Sequence, residues 1–317
     1  MTESKPQSGI SPYLAIGFAV LAISTASIFI RFAQREAPSL VIAAYRLSLA
    51  VLILVPLVVR KHLDELKSLG KKAFLLALLS GFFLAVHFAV WITSLEYTTV
   101  ASSVVLVTTT PLWVAMMAPL AIGERITKPI LVGMVITLLG GLIVGLGDTC
   151  TMYFWGLHCP PFSAFVSGRA FIGDALALTG ALAAAAYLMI GRSLRGALSL
   201  VPYVFLVYGM AAVILVLAAL ASGAAMFGYS GQTYLWFLLL AVFPQLLGHS
   251  IYNWALKYLS ASYVSITLLG EPSGTILLAY IFLREIPSGV KLFGAILILM
   301  GILLAARRDV ALVEPAG

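Results

Sequence analysis

Charge is what this chain has least of. Only 10% of its 317 residues are charged, and 12 of those are acidic. Soluble domains carry roughly 25% charged residues. With 62% hydrophobic residues and a mean hydropathy of +1.08, there is more apolar surface than a soluble core can hide, so a soluble globular protein is excluded. Cysteine and histidine are scarce as well, at 2 and 4 residues. They form no cluster at metal-ligand spacing, so neither a metal nor a cofactor is expected. HExxH and GxSxG contexts are missing, which leaves an intramembrane enzyme as a remote alternative. No ATP-binding motif occurs. Gly145-Leu146-Gly147 is not a dinucleotide fingerprint, because no strand–turn–helix surrounds it.

Long apolar runs fill the chain instead. Each is near the roughly 20 residues that cross a bilayer as a helix. They predict an all-α integral membrane protein with ten spans near 12–31, 39–59, 73–95, 99–120, 129–147, 171–191, 200–222, 233–255, 261–283 and 289–306. The first run is too long for a signal-peptide core and lacks a small-residue cleavage site, so it is read as a retained span. The formal charge of +7 does not point to a nucleic-acid partner. The basic residues sit between the apolar runs, where they set topology. With the N-terminus in the cytoplasm, 13 of the 19 lysines and arginines fall on the cytoplasmic side, and both termini are then inside.

The chain also repeats itself. GERITKPILVG at Gly123–Gly133 is echoed by REIPSGVKLFG at Arg284–Gly294. Glu124 and Glu285 are 161 residues apart (285 − 124 = 161), as are Gly133 and Gly294, Gly140 and Gly301, Pro111 and Pro272, Tyr97 and Tyr258, and Arg31 and Arg192. Five spans per half is an odd number, so the second half enters the membrane from the opposite face. Inverted repeats of this kind suit carriers, whose site lies between two halves that rock. The predicted organisation is a cytoplasmic tail 1–11, a first repeat 12–147, an external loop 148–170, a second repeat 171–306 and a tail 307–317. One chain holding both repeats points to a monomer. Cys150 and Cys159 lie in the external loop. An oxidising exterior would allow them to pair; two free thiols are the alternative, and both readings stand.

In this context "AAYRLSLAVLILV" at Ala43–Val55, "EPSGTILLAYIFLRE" at Glu271–Glu285, and a glutamate before the last span of each half resemble EamA-type members of the drug/metabolite transporter superfamily. The resemblance covers nearly the whole chain. It implies a basket of helices around a central cavity, lined by spans 1, 3, 4, 6, 8 and 9, with spans 5 and 10 outside. It also implies export or exchange of amino acids, other metabolites or drugs across a bacterial inner membrane.

Polar side chains inside a bilayer are costly and mark partners, cavities or water. Span 9 carries Thr267, Glu271 and Thr275 on one helical face. Burial disfavours an ionised carboxylate, which makes Glu271 a candidate for proton coupling or for a substrate ammonium. A structural carboxylate, satisfied where Pro272 breaks the helix, is the equal alternative. Span 8 carries Gln245, His249 and Asn253 at helical spacing, read as a cavity wall rather than as interhelical glue. Span 3 carries Phe83, His87 and Trp91. His87 aligns with Gly248 and meets His249 only after a slip of one residue, and no metal is inferred from the two imidazoles. Span 4 carries Ser103, Thr110 and Pro111, followed by Trp113. The two proline-broken spans, 4 and 9, point to the binding site, with Trp113 and Tyr187 as aromatic walls. Arg46 fits the family's arginine; pairing with an acid or binding a substrate carboxylate is open to it, and snorkelling to the interface is the favoured expectation. Tyr252 and Trp254 could also sit at the interface. Glu124 and Glu285 are expected to tie loops, and Gly133, Thr137, Gly141 and Gly145 to form a ridge for close helix packing.

These residues suit a zwitterion with an apolar side chain. The reading is a secondary carrier for an amino acid or related amphiphile, acting as exporter or exchanger. A lipophilic-drug exporter is the alternative, and a channel is a third.

Overall fold

The computed structural model describes residues 11–98, 100–123, 126–149, 151–153, 156–158, 169–283 and 289–309. Among them, seven helical stretches are long and apolar enough to cross a membrane: Pro12–Ala33, Ser39–Lys61, Lys71–Tyr97, Ser103–Ala121, Phe171–Leu194, Leu200–Ala221 and Gly231–Ala255. Lys128–Ile143 and Leu292–Ala305 are shorter apolar helices. Helices Ala261–Leu268 and Glu271–Leu283 follow one another across a short break. The segment between the two halves contains two short strands. Strands Thr151–Tyr153 and Gly156–His158 pair antiparallel, with Thr151 opposite His158. Cys150, Cys159, Glu124 and Glu285 lie outside the described residues.

Local chemistry explains where helices break. Pro111 has no N–H, so the carbonyl of Val107 loses its helical donor. Helix Val100–Val107 ends there, and helix Thr110–Ala121 begins after a turn. The hydroxyl of Thr110 donates to Val107 O at 2.9 Å and so replaces the missing bond. Pro272 acts in the same way one repeat later: Val107 corresponds to Leu268 (107 + 161 = 268) and Thr110 to Glu271 (110 + 161 = 271), and the second break falls between those residues. The first span divides at Thr25, whose hydroxyl donates to Ala22 O at 2.7 Å. A threonine bonding its preceding turn competes with the helical ladder. Ala241–His249 is a π-helix containing Pro244. Proline in a regular α-helix crowds the carbonyl four residues back, and a wider turn relieves it.

The two halves are inverted, and the last helix of each repeat carries the proof. A Cβ on Gly133 would lie 2.6 Å from Gly301 O, and one on Gly140 would lie 2.7 Å from Gly294 O. Gly133 corresponds to Gly294, and Gly140 to Gly301. Each therefore meets the counterpart of the other, so the equivalent helices run antiparallel across a pseudo-twofold axis. The contact row is Gly133, Thr137 and Gly140. Gly141, expected in it, faces open space. The same exchange relates Lys71–Tyr97 against Arg169–Leu194 to Pro12–Ala33 against Gly231–Ala255.

Carboxylates then clasp helix N-termini, whose first N–H groups have no partner within the helix. Glu65 accepts from Ser199 N at 2.8 Å and from its hydroxyl at 2.5 Å. Glu36 accepts from Ser230 N at 3.0 Å and the Thr233 hydroxyl at 2.9 Å. Both clasps join the first repeat to the second. Glu96 does the same for Ser39 within the first repeat.

Two predictions follow from this frame. Gly140→Leu should lower the melting temperature in detergent by about 5 °C or more, from roughly 2 kcal/mol of overpacking at about 2–4 °C per kcal/mol. Gly141→Leu should change it little. The Ser230 N–H, then the Thr233 and Ser230 hydroxyls, hold the Glu36 carboxyl below its usual value of 4.5. The clasp's stability is therefore present above that value and lost as pH falls through the lower folded one. Glu36→Gln should flatten the acid side of a melting-temperature profile taken from about pH 6 to about pH 3, the range in which such a carboxylate titrates.

Candidate functional site

A cavity lies where the halves meet, enclosing at most about 600 Å³ of atom-free space, within the range of small-molecule sites. Its wall follows the repeat. Ile23 and Ala184, Ala26 and Tyr187, Trp91 and Tyr252, Val107 and Leu268, and Thr110 and Glu271 all line it. Each pair is separated by 161 positions (184 − 23 = 161, and likewise for the other four). The cavity therefore sits on the pseudo-twofold axis, with both helix breaks at its edge.

The two imidazoles are not an equivalent pair, since His87 corresponds to Gly248 and not to His249. Both rings nonetheless line the cavity, with centroids 6.4 Å apart. His87 Nδ1 lies 2.9 Å from Gly180 O. A carbonyl only accepts, so Nδ1 carries the proton, and Nε2 of the neutral ring remains an acceptor. His87 stacks on Trp91 at 5.7 Å, and Tyr187 stands 6.4 Å from His249.

Arg46 departs from the expectation favoured for it. It does not snorkel: its side chain is wholly buried and lines the cavity. Its Nε donates to Gln245 Oε1 at 2.8 Å, and its guanidinium lies 4.1 Å from the centroid of Phe88. Its place fits the alternative expectation, a partner for an acid or a substrate carboxylate, as an ionisable residue within an apolar run does by default. Tyr252 was missed. It is buried rather than interfacial, and its repeat partner is Trp91.

Of the expected binding residues, His87, Trp91, Thr110, Tyr187, His249 and Glu271 come together around the cavity. Gln245 and Asn253 do not line it. They stand behind the wall, fully buried, Gln245 holding Arg46 and Asn253 donating to the Tyr187 hydroxyl and to His249 O. The expected stripe assumed α-helical spacing, which the π-helix disrupts. Trp113 is partly buried against the core and is not part of the cavity wall. Thr267 and Thr275 are occupied with backbone carbonyls, the latter bonding Ser24 O at 3.2 Å across to the first span. Nη1 of Arg46, Nε1 of Trp91 and Oε1 of Glu271 are buried without a hydrogen-bond partner.

The arrangement can bind a small amphiphilic solute between two inverted halves. Comparison with known proteins agrees with this. The model of the EamA-like transporter family matches residues 10–146 and again 171–307, the same offset of 161 (171 − 10 = 161; 307 − 146 = 161). A solved structure described only as a crystal structure of a protein is similar over 95% of this chain and 98% of its own, with a TM-score of 0.73 and 16% identity. At that identity the likeness is one of fold. No curated protein matches the chain. A family match over both halves, on a fold whose cavity lies on the axis between them, places this chain in the EamA-like transporter family, as a multi-pass membrane transporter of the drug/metabolite type.

Proposed function

We propose that the protein is an alternating-access secondary carrier, exporting or exchanging an amino acid or a related amphiphilic metabolite. The observation that carries this reading is the cavity wall built from five pairs of repeat-equivalent positions. A site on the axis between inverted halves is equally close to both membrane faces, so rocking one half against the other can open it to either side. The reading takes the chain as ten spans, with the broken pair Ala261–Leu268 and Glu271–Leu283 counted as the ninth. It places both termini in the cytoplasm, the protein in a bacterial inner membrane, and one chain in each functional unit. Cys150 and Cys159 then face an oxidising exterior, where a disulfide and two free thiols are both open to them.

Within the cavity, His87, Trp91, Thr110, Tyr187 and His249 contact the solute. Gln245 and Asn253 act one step back, by holding Arg46 and Tyr187. Trp113 belongs to the packing around the site. Glu271 is the coupling group. Among the described residues it is the only acidic one in the cavity wall, where desolvation makes its protonation and its contact with substrate compete. The mainly aromatic and aliphatic remainder of the wall also favours a second reading, a lipophilic-drug exporter that depends on the same glutamate.

Counterflow in proteoliposomes tests the proposal. Unlabelled internal amino acid should drive accumulation of labelled external amino acid, taken from a panel of neutral and aromatic ones. Glu271→Gln should reduce that accumulation at least about tenfold, the equivalent of ~1.4 kcal/mol, while remaining folded. Counterflow of drug-like cations alone would favour the second reading. Solute flux without counterflow would mean a channel.

A further inference from the structure

Arg46 and Glu271 lie in the same cavity wall, near enough to attract one another but not in contact. Arg46 is wholly buried and Glu271 only 7% exposed, yet no nitrogen–oxygen contact within 4.0 Å joins them as an ion pair. Each keeps an atom without a partner, Nη1 on the arginine and Oε1 on the glutamate. A buried charge left unpaired is strongly unfavourable, so a ligand that completes both would be bound by both. We propose that Arg46 and Glu271 are the two charged poles of the substrate site, and that together they restrict it to solutes bearing a carboxylate and a cationic nitrogen on one small body. This rests on the carrier reading above and names its substrate class.

The surroundings of Arg46 fit a receptor rather than a structural cation. Gln245 takes Nε, and Phe88 covers one face of the guanidinium. These contacts fix the plane of the group while Nη1 stays unbonded. A planar guanidinium matches the two oxygens of a carboxylate. Gln245 stays neutral, so it holds the arginine without cancelling its charge. Glu271 begins its helix directly after the break at Leu269-Gly270. Ser24 donates its hydroxyl to Glu271 O at 3.1 Å, which anchors the backbone and not the carboxylate. Trp91, Tyr187 and Leu188 add apolar surface to the same cavity wall.

Both charges also break the internal repeat. The position equivalent to Arg46 is Val207 (46 + 161 = 207), and the one equivalent to Glu271 is Thr110. The symmetric part of the wall suits motion between two faces. The asymmetric part gives the ligand one orientation. A lipophilic monocation would satisfy Glu271 but would meet the unpaired guanidinium, so the poles select against it.

The test pairs binding with transport, using phenylalanine as probe against phenylalanine amide, which lacks the carboxylate, and 3-phenylpropionate, which lacks the amine. Purified wild-type protein should be thermally stabilised by phenylalanine at concentrations at least tenfold lower than by either analogue. In counterflow of labelled phenylalanine, each analogue should compete at least tenfold more weakly than unlabelled phenylalanine. Arg46→Gln should erase the preference for phenylalanine over its amide, and Glu271→Gln the preference over 3-phenylpropionate. Arg46→Lys keeps the charge and should retain part of the first preference. The ligand series on wild type needs no variant to fold. If wild type exchanges phenylalanine but the amide competes equally well, the poles are overturned and the carrier stands. If phenylalanine stabilises the protein with the stated preference but never exchanges, the carrier reading fails and the poles stand. If no zwitterion in a panel of neutral amino acids either stabilises or exchanges, both fail.

Discussion

A backbone carbonyl without a donor cannot be left facing hydrocarbon. Most of the architecture follows from how this chain meets that requirement. Apolar runs satisfy it by forming helices. Pro111 and Pro272 violate it by removing one donor each, and a break of that kind is tolerated only where protein or a cavity takes over. Both breaks therefore lie at the edge of the same cavity, between inverted halves. At the first, the Thr110 hydroxyl replaces the missing donor. At the second, the equivalent position holds Glu271, whose Oε1 has no partner. The same backbone defect thus carries a structural hydroxyl in one repeat and a free carboxylate oxygen in the other.

This pattern extends through the site. Where the halves agree, the residues serve geometry: the glycine contacts between the last helices and the proline breaks. Where they differ, the residues carry charge or aromatic surface: Arg46 against Val207, Glu271 against Thr110, Tyr187 against Ala26. Duplication supplies two related halves that can exchange roles across the membrane. Divergence within the duplicate makes the ligand site polar and directional. The two imidazoles occupy a middle ground. They stand close together although their positions in the repeat differ by one residue.

The polar residues behind the wall matter as much as those in it. Gln245 and Asn253 touch no cavity surface, yet each bonds a side chain that does. The clasps of Glu36 and Glu65 act at longer range. Each lends a carboxylate from the first repeat to unpaired helix-start N–H groups of the second, so that links between the halves sit outside the apolar interior, where water and pH can reach them.

Much of this was legible in the sequence, because hydrophobic burial and repetition act along the chain. Composition excluded a soluble fold. The offset of 161 predicted the two halves, their inversion and the match of proline breaks, and six of the expected site residues line one cavity. What the sequence could not decide was which face of each helix points where. Gln245 and Asn253 share a stripe with His249 only if the helix is regular, and the π-helix around Pro244 is not. Gly141 fits the glycine ridge by spacing but faces away from it, since the neighbouring helix passes over Gly140. Arg46 could have reached the interface from its place in an apolar run. Only the packing of Gln245 and Phe88 against it, from elsewhere in the bundle and within its own half, holds it in the cavity. Periodicity along a chain determines that a helix forms and roughly what it hides. The phase of that helix against its neighbours is set by contacts between residues far apart in sequence, and in this protein that phase decides which residues meet the substrate.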